Sequence, residues 1–404
     1  MDYLPFRNVR DVLGLHAKVS SRKTSVIFYD ADGKREVMSY LEFVGKTHQV
    51  ANFLYEDLAL ERGQAIAVVS SNHENTLVLY FAAWIIGLTV VALDPSADPS
   101  DMQSLLTDTE SRVLFASDDI FDNYTSLVDK VDSLEGAIHI GGERRDNFMR
   151  FEDLARNRPT TFLGDESGAK GADIPVTGGN ERTARLKDVA WITIEKGQRI
   201  TRTQGDMLYD ARRIAGASAL TGNQVTVASL PLHQQFVASV LAPLFVGATV
   251  VLSHTITPDI IWRLIVSERA HATVLMCEQI SAMVETANAH MDNGKTRFGN
   301  NIIQQDVKHF RFFLVPDALT NELAIAFEDL FGLPLITAHA DSITGEMLSI
   351  LPITLAWDYH QSWLRNYNPP SIGIPLSASA SAILNKRCES IQGEDGMPYY
   401  FLNT

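Results

Sequence analysis

Apolar positions along this chain repeat at two periods, one helical and one close to strand-like, and the alternation between them predicts the architecture. Over residues 39–58 (SYLEFVGKTHQVANFLYEDL), Val44, Ala51, Leu54, Tyr55 and Leu58 recur at helical spacing and mark one buried face. Ser39 with Glu42 reads as a capping box, in which hydroxyl and carboxylate each satisfy a backbone amide at the helix start. Residues 60–63 turn the chain into an apolar strand at 65–70. A helix at about 75–86 and a strand at 89–93 follow. This is a βαβ unit, with a right-handed crossover expected.

The stretch 76–93 (TLVLYFAAWIIGLTVVAL) is uncharged and nearly long enough to cross a bilayer. Gly87 divides it, however, into a helix-forming half and a β-branched half, and Asp94-Pro95 supplies a turn. The reading is a buried helix, a C-cap and a buried parallel strand, with no membrane span.

The same pattern returns further on: a strand at 225–229, a helix at 235–245, Gly247, and a strand at 248–252. Gly87, Thr89, Val90 and Val91 match Gly247, Thr249, Val250 and Val251 in order, which predicts two pseudo-repeated subdomains. Further βα units follow at 272–289 and 310–331. The second has Thr320 as N-cap, Gly332 after the helix and a strand at 335–337. Such alternation predicts an α/β fold with mainly parallel sheets. The polar, Gly-rich run 165–185 reads as a flexible linker, and the short alternating runs after Pro369-Pro370 as the start of a small β subdomain. The expected organisation is a first subdomain at 1–163, a linker at 164–187, a second subdomain at 188–365 and a partial β subdomain at 366–404.

Composition narrows the function classes. A net charge of −15, with 34 Lys and Arg residues spread along the chain, argues against a nucleic-acid partner. Cys277 and Cys388 are too isolated for a disulfide framework or a metal motif, and the N-terminus lacks the apolar core of a signal peptide; a cytoplasmic location is expected. The scattered histidines form no metal-binding spacing. No Gly-x-Ser-x-Gly elbow is present to support ester hydrolysis.

Four stretches, taken in order, carry a resemblance to a known family: residues 39–95, then DVAWITI, then VASLPLHQQFVASVLAPLFVGATVVL, then SIGIPL. The chain resembles the large N-terminal domain of the adenylate-forming ligases (acyl-CoA synthetases, luciferases and peptide-synthetase adenylation domains). The resemblance implies activation of a carboxylate by ATP to an acyl-adenylate, followed by capture by a thiol. It also implies a phosphate cradle of the form T-S-G-T-T-G-x-P-K-G after the strand 191–194. Here only residues 195–202 separate that strand from the next helix. Lys196, Gly197 and Arg199 are what remains of a phosphate loop, with Arg202 close by.

Other motifs of the family depart as well. In place of an aromatic-Gly-x-Thr-Glu motif stands His339-Ala340-Asp341-Ser342-Ile343, and Ile343 cannot ligate magnesium. A slipped register offers Thr344 and Glu346 instead. At the turn expected to hold adenine stands Pro316-Asp317-Ala318-Leu319, where glycine is expected. Asp395, in a Gly-Glu-Asp-Gly turn, does not match the family's ribose-binding aspartate. The family's C-terminal domain, with its catalytic lysine, is absent from the 404 residues.

His233, followed by Gln234, falls where the family walls its carboxylate pocket; the plain alternative is a histidine hydrogen-bonded at a strand end. The expectation is a pseudoenzyme with no catalytic residue and neither ATP nor magnesium as cofactor. Its ligand is a carboxylate or acyl group, contacted by His233, Gln234, His339, Ser342 and Thr344, or its partner is a protein such as an active ligase or carrier. The alternative is an active ligase half that uses ATP and magnesium, with Glu346 as metal ligand, completed by a separate C-terminal domain.

Overall fold

A computed structural model describes residues 4–162, 184–195, 197–289 and 307–403. The chain divides into two compact units. The first comprises Met1–Tyr209, Pro231–Gln234 and Ser342–Thr344; the second comprises Asp210–Leu230, Gln235–Asp341 and Gly345–Thr404. The boundary falls inside the helix Gln204–Ala217. Residues 164–183 of the expected linker 164–187 lie outside the described residues.

The first unit opens with the helix Val9–Val19, whose amide at Asp11 is capped by the Asn8 side chain. An antiparallel hairpin follows, β1 (Thr24–Tyr29) with β2 (Arg35–Ser39). The helix Tyr40–Glu56 starts at the expected capping box, with Glu42 N–H donating to Ser39 Oγ and Ser39 N–H to the Glu42 carboxylate. The remaining strands are β3 (Ala65–Val69), β4 (Thr89–Leu93), β5 (Val113–Ser117), β6 (Gly136–Ile140), β7 (Met149–Arg150), β8 (Val189–Glu195) and β9 (Gln198–Thr203). They form one sheet in the order β7-β6-β5-β3-β4-β8-β9, parallel except for β9, which runs antiparallel to β8.

The apolar stretch 76–93 becomes most of the helix Glu74–Ile85 and strand β4, with every residue from Thr76 to Leu93 buried. Among the described residues no helix is long and apolar enough to cross a membrane. Trp84 anchors the helix on the sheet: its indole N–H donates to the Ala190 carbonyl at 2.7 Å. Gly87, at φ +79°, reverses the chain between helix and strand.

In the second unit the strands are β10 (Val225–Ala228), β11 (Thr249–Ser253), β12 (Ala272–Val274), β13 (Phe312–Val315), β14 (Leu335–Ala340), β15 (Met347–Ile350) and β16 (Ile374–Pro375). Their order is β16-β15-β14-β13-β12-β10-β11. The five strands β10 to β14 are parallel, and β15 and β16 add antiparallel pairs. Gly247, at φ +78°, plays the part that Gly87 plays in the first unit, as the repeat predicts.

Two details differ from the sequence pattern. The segment expected as one α-helix at 235–245 begins at Gln235 with φ +46°, forms a π-helical turn at Val237–Leu241, and only then an α-turn at Ala242–Phe245. Pro243 brings no N–H to this stretch, so the regular ladder cannot run through it. In the last forty residues, a helix (Ala378–Arg387, capped by Ser377) precedes the hairpin of β17 (Cys388–Gln392) and β18 (Pro398–Leu402). Leu348, Ile372, Ala380, Leu384 and Tyr400 form a small core beneath this region.

Candidate functional site

The stretch expected to cradle phosphate is a tight β-hairpin. Strand β8 pairs with β9 as far as Ile194↔Arg199 and Glu195↔Gln198. An anion cradle needs several backbone N–H groups pointing into one concavity. Here the flanking backbone is taken up in strand pairing. Gly197 takes the left-handed φ of +76° that the reversal requires, with no atom within 4 Å of the position a Cβ would occupy.

Lys196 lies outside the described residues. Arg199 is exposed on the hairpin. Arg202 is buried, and its guanidinium donates to the Asp206 carbonyl at 3.2 Å. Thr203 and Asp206 then exchange hydrogen bonds that start the next helix, Thr203 N–H to the carboxylate at 2.9 Å and Asp206 N–H to the hydroxyl at 3.1 Å. Where a short loop was expected, residues 198–203 form strand β9, which carries Arg199 and Arg202.

At the end of β14, the acids are paired internally. Glu346 forms an ion pair with Arg213, and Asp341, buried, accepts from Arg387 at 3.0 Å. Gly345 N–H donates to the Asp341 carbonyl and Asp341 N–H to the Glu346 carbonyl, closing the turn. His339 is half-buried in the second unit; Ser342, Ile343 and Thr344 are exposed and group with the first. A magnesium ligand at Glu346 would compete with a guanidinium already in place. Arg213 and Arg387 lie 133 and 46 residues from their partners, so no local motif announces them. Among the described residues no group of three or more His, Cys, Asp or Glu side chains stands ready for a metal ion.

The turn 316–319 is tied to the helix Cys277–Ala289. Asp317 accepts from its neighbour Ala318 N–H at 2.9 Å, and the Cys277 thiol approaches the Ala318 carbonyl at 3.4 Å. Thr320 caps the helix Asn321–Phe331, which Gly332 closes at φ +63°.

His233 is buried in the first unit, where the Leu232 N–H donates to Asn72 Oδ1 at 2.9 Å and fixes the loop 231–234. Its Nε2 lies 3.7 Å from Asp94, an ion-pair contact longer than a hydrogen bond. His233, and after it the amide and hydroxyl of Ser96, hold the Asp94 carboxyl well below the usual range against the opposing effect of burial. Asp94 was legible in the sequence only as a turn residue. Gln234, half-buried, is held through its N–H by the Pro231 carbonyl.

Residues 15–187 match the model of a family described as AMP-binding enzyme, a segment shorter than half of the chain. No curated protein sequence matches. Among solved structures, the chain is similar to an anthranilate CoA ligase in complex with anthranoyl-AMP, with TM-score 0.74, 17% identity, and 98% of this chain and 68% of that one covered. It is also similar to a long-chain-fatty-acid-CoA ligase from Archaeoglobus fulgidus (TM-score 0.73, 18% identity, 98% and 73% covered). A third is the MbtA protein of Mycobacterium smegmatis (TM-score 0.71, 18% identity, 96% and 64% covered). At these identities the likeness is one of fold.

Proposed function

Starting from a chain that carries the adenylate-forming ligase fold with an AMP-binding segment at 15–187, we propose that it is a non-catalytic relative retained for binding. The observation that carries this reading is the β8–β9 hairpin, which pairs up to Glu195↔Gln198 where a phosphate cradle would have to open. Phosphoryl and adenylyl chemistry depend almost wholly on positioning and charge neutralisation, so loss of the cradle removes the largest contribution. Internal pairing of Glu346 with Arg213 supports the same reading, because it disfavours the slipped-register magnesium site that an active half would use.

The proposed ligand is a carboxylate or acyl group near His233, or a protein partner such as an active ligase or carrier. The buried Nε2 of His233 has no hydrogen-bond partner among the described residues and lies 3.7 Å from Asp94, so it offers such a ligand a polar atom as well as an imidazole face.

Isothermal titration of the full chain with ATP and magnesium, with and without a panel of carboxylic acids, tests the reading. The expected result is no nucleotide binding and no ATP–pyrophosphate exchange. Micromolar ATP binding overturns it and favours the active half-ligase.

A further inference from the structure

His339, Asp341 and Glu346 stand at or just beyond the carboxyl end of β14, whereas a different feature stands at the opposite end. Arg311 and Pro334 immediately precede β13 and β14, and Pro352 follows β15, which runs the other way. With Ile336, Trp357 and His360 they line a groove of about 310 Å³. That is at the small end of pockets that hold compact organic ligands.

We propose that this groove binds a small aromatic carboxylate, its ring against Trp357 and its carboxylate on Arg311.

Three observations carry the assignment. First, Trp357 is a large apolar side chain left 39% exposed, yet it is held in place. Its ring stacks on His360 at 5.5 Å and 18°, and His360 Nε2 donates to the Glu328 carboxylate at 2.7 Å. Glu328, buried, also accepts from Leu335 N–H at 3.1 Å, so a surface tryptophan is anchored through a buried imidazole to the sheet. Such prior ordering lowers the entropy cost of stacking a ligand.

Second, Arg311 has no carboxylate partner among the described residues. Its guanidinium donates one bond to the Ala219 carbonyl at 3.2 Å and lies 5.8 Å from the Phe312 ring centroid, which leaves donors for a bidentate anion.

Third, two acids near the groove are already engaged: Glu328 faces His360 and Asp329 pairs with Arg365, while Asp358, beside Trp357, is exposed. Apolar walls with one guanidinium that meets no carboxylate among the described residues suit a flat, singly charged anion. The limited volume excludes a folded partner.

The test is calorimetric titration of the full chain with 2-naphthoate and, in parallel, with its neutral isostere 2-naphthamide. Arg311→Met is expected to weaken naphthoate by at least about tenfold, the worth of one charge-assisted pair, and to leave the amide unchanged. Trp357→Ala is expected to weaken both. Arg311→Lys, which keeps the charge but loses the planar fork, should fall between wild type and Arg311→Met, and circular dichroism establishes that each variant is folded. Absence of naphthoate binding up to about 1 mM, or binding untouched by Arg311→Met and Trp357→Ala, overturns the proposal.

Discussion

Substituting Gly373 by alanine should be among the most damaging single-methyl changes available in the second unit. Gly373 sits at φ +89° within SIGIPL, immediately before β16. The Tyr400 N–H donates to its carbonyl at 3.0 Å. A Cβ built there would lie 2.1 Å from the Ile350 carbonyl carbon, 2.2 Å from Leu351 N and 2.3 Å from Ile350 O. Ordinary carbon contacts lie at about 3.5–4.0 Å, so the overlap exceeds an ångström. All three atoms are backbone, so no rotamer change relieves it.

Left-handed backbone costs an L-residue about 1–2 kcal/mol, and overpacking against a fixed wall about 1–3 kcal/mol more. The sum is about 2–5 kcal/mol, and the upper half applies where the wall cannot move. Gly396→Ala is the control: its φ is +77°, but nothing lies within 4 Å of the position of its Cβ. Only the conformational part, about 1–2 kcal/mol, should appear there. Urea denaturation followed by tryptophan fluorescence measures both, and limited proteolysis reports loosening after residue 365. If the two variants lose the same stability within about 0.5 kcal/mol, the close-approach argument is wrong.

Three further outcomes follow from the same geometry. Arg213→Met should destabilise by about 1–3 kcal/mol by removing the guanidinium that pairs with the partly buried Glu346, and adding Glu346→Gln should restore part of it; equal losses in the single and double variants would refute the pairing. Asp94 has a folded-state pKa below its unfolded value, so its contribution is complete above about pH 4 and fades as pH falls through the lower folded value. Asp94→Asn should therefore flatten the acid limb of a stability–pH curve, and an unchanged limb would show that His233 and Ser96 do not hold the carboxylate. Ser39→Ala should cost about 1 kcal/mol in thermal or urea unfolding by removing the capping box of Tyr40–Glu56.

The parts of the fold legible in the chain were those set by near neighbours. Ser39 with Glu42, Thr320 with Gly332, and the matched pair Gly87 and Gly247 act within a few residues, so their chemistry is visible as spacing. The alternation of apolar runs likewise announced mainly parallel sheets, because a strand buried on both faces must be continuously apolar. Less visible was the helix Ala378–Arg387, whose Ser- and Ala-rich sequence has little amphipathic contrast.

What the chain itself determined was the set of elements, their order and the shortness of the segment between Ile194 and Thr203. Only the tertiary structure decided what that segment becomes. Residues 198–203 alternate in a way compatible with either loop or strand, and their pairing with β8 turns them into a hairpin. The same holds for the charges: Glu346 stood in the sequence as a possible magnesium ligand, and only the fold brings Arg213 beside it, as it brings Arg387 to Asp341. The Trp357 groove is also of this kind, assembled from the starts of two strands, the end of a third and a helix. Local propensity is written in adjacent residues, whereas electrostatic pairing and cavity shape depend on which distant residues the fold brings within a few ångströms, where charge interactions and packing are strong.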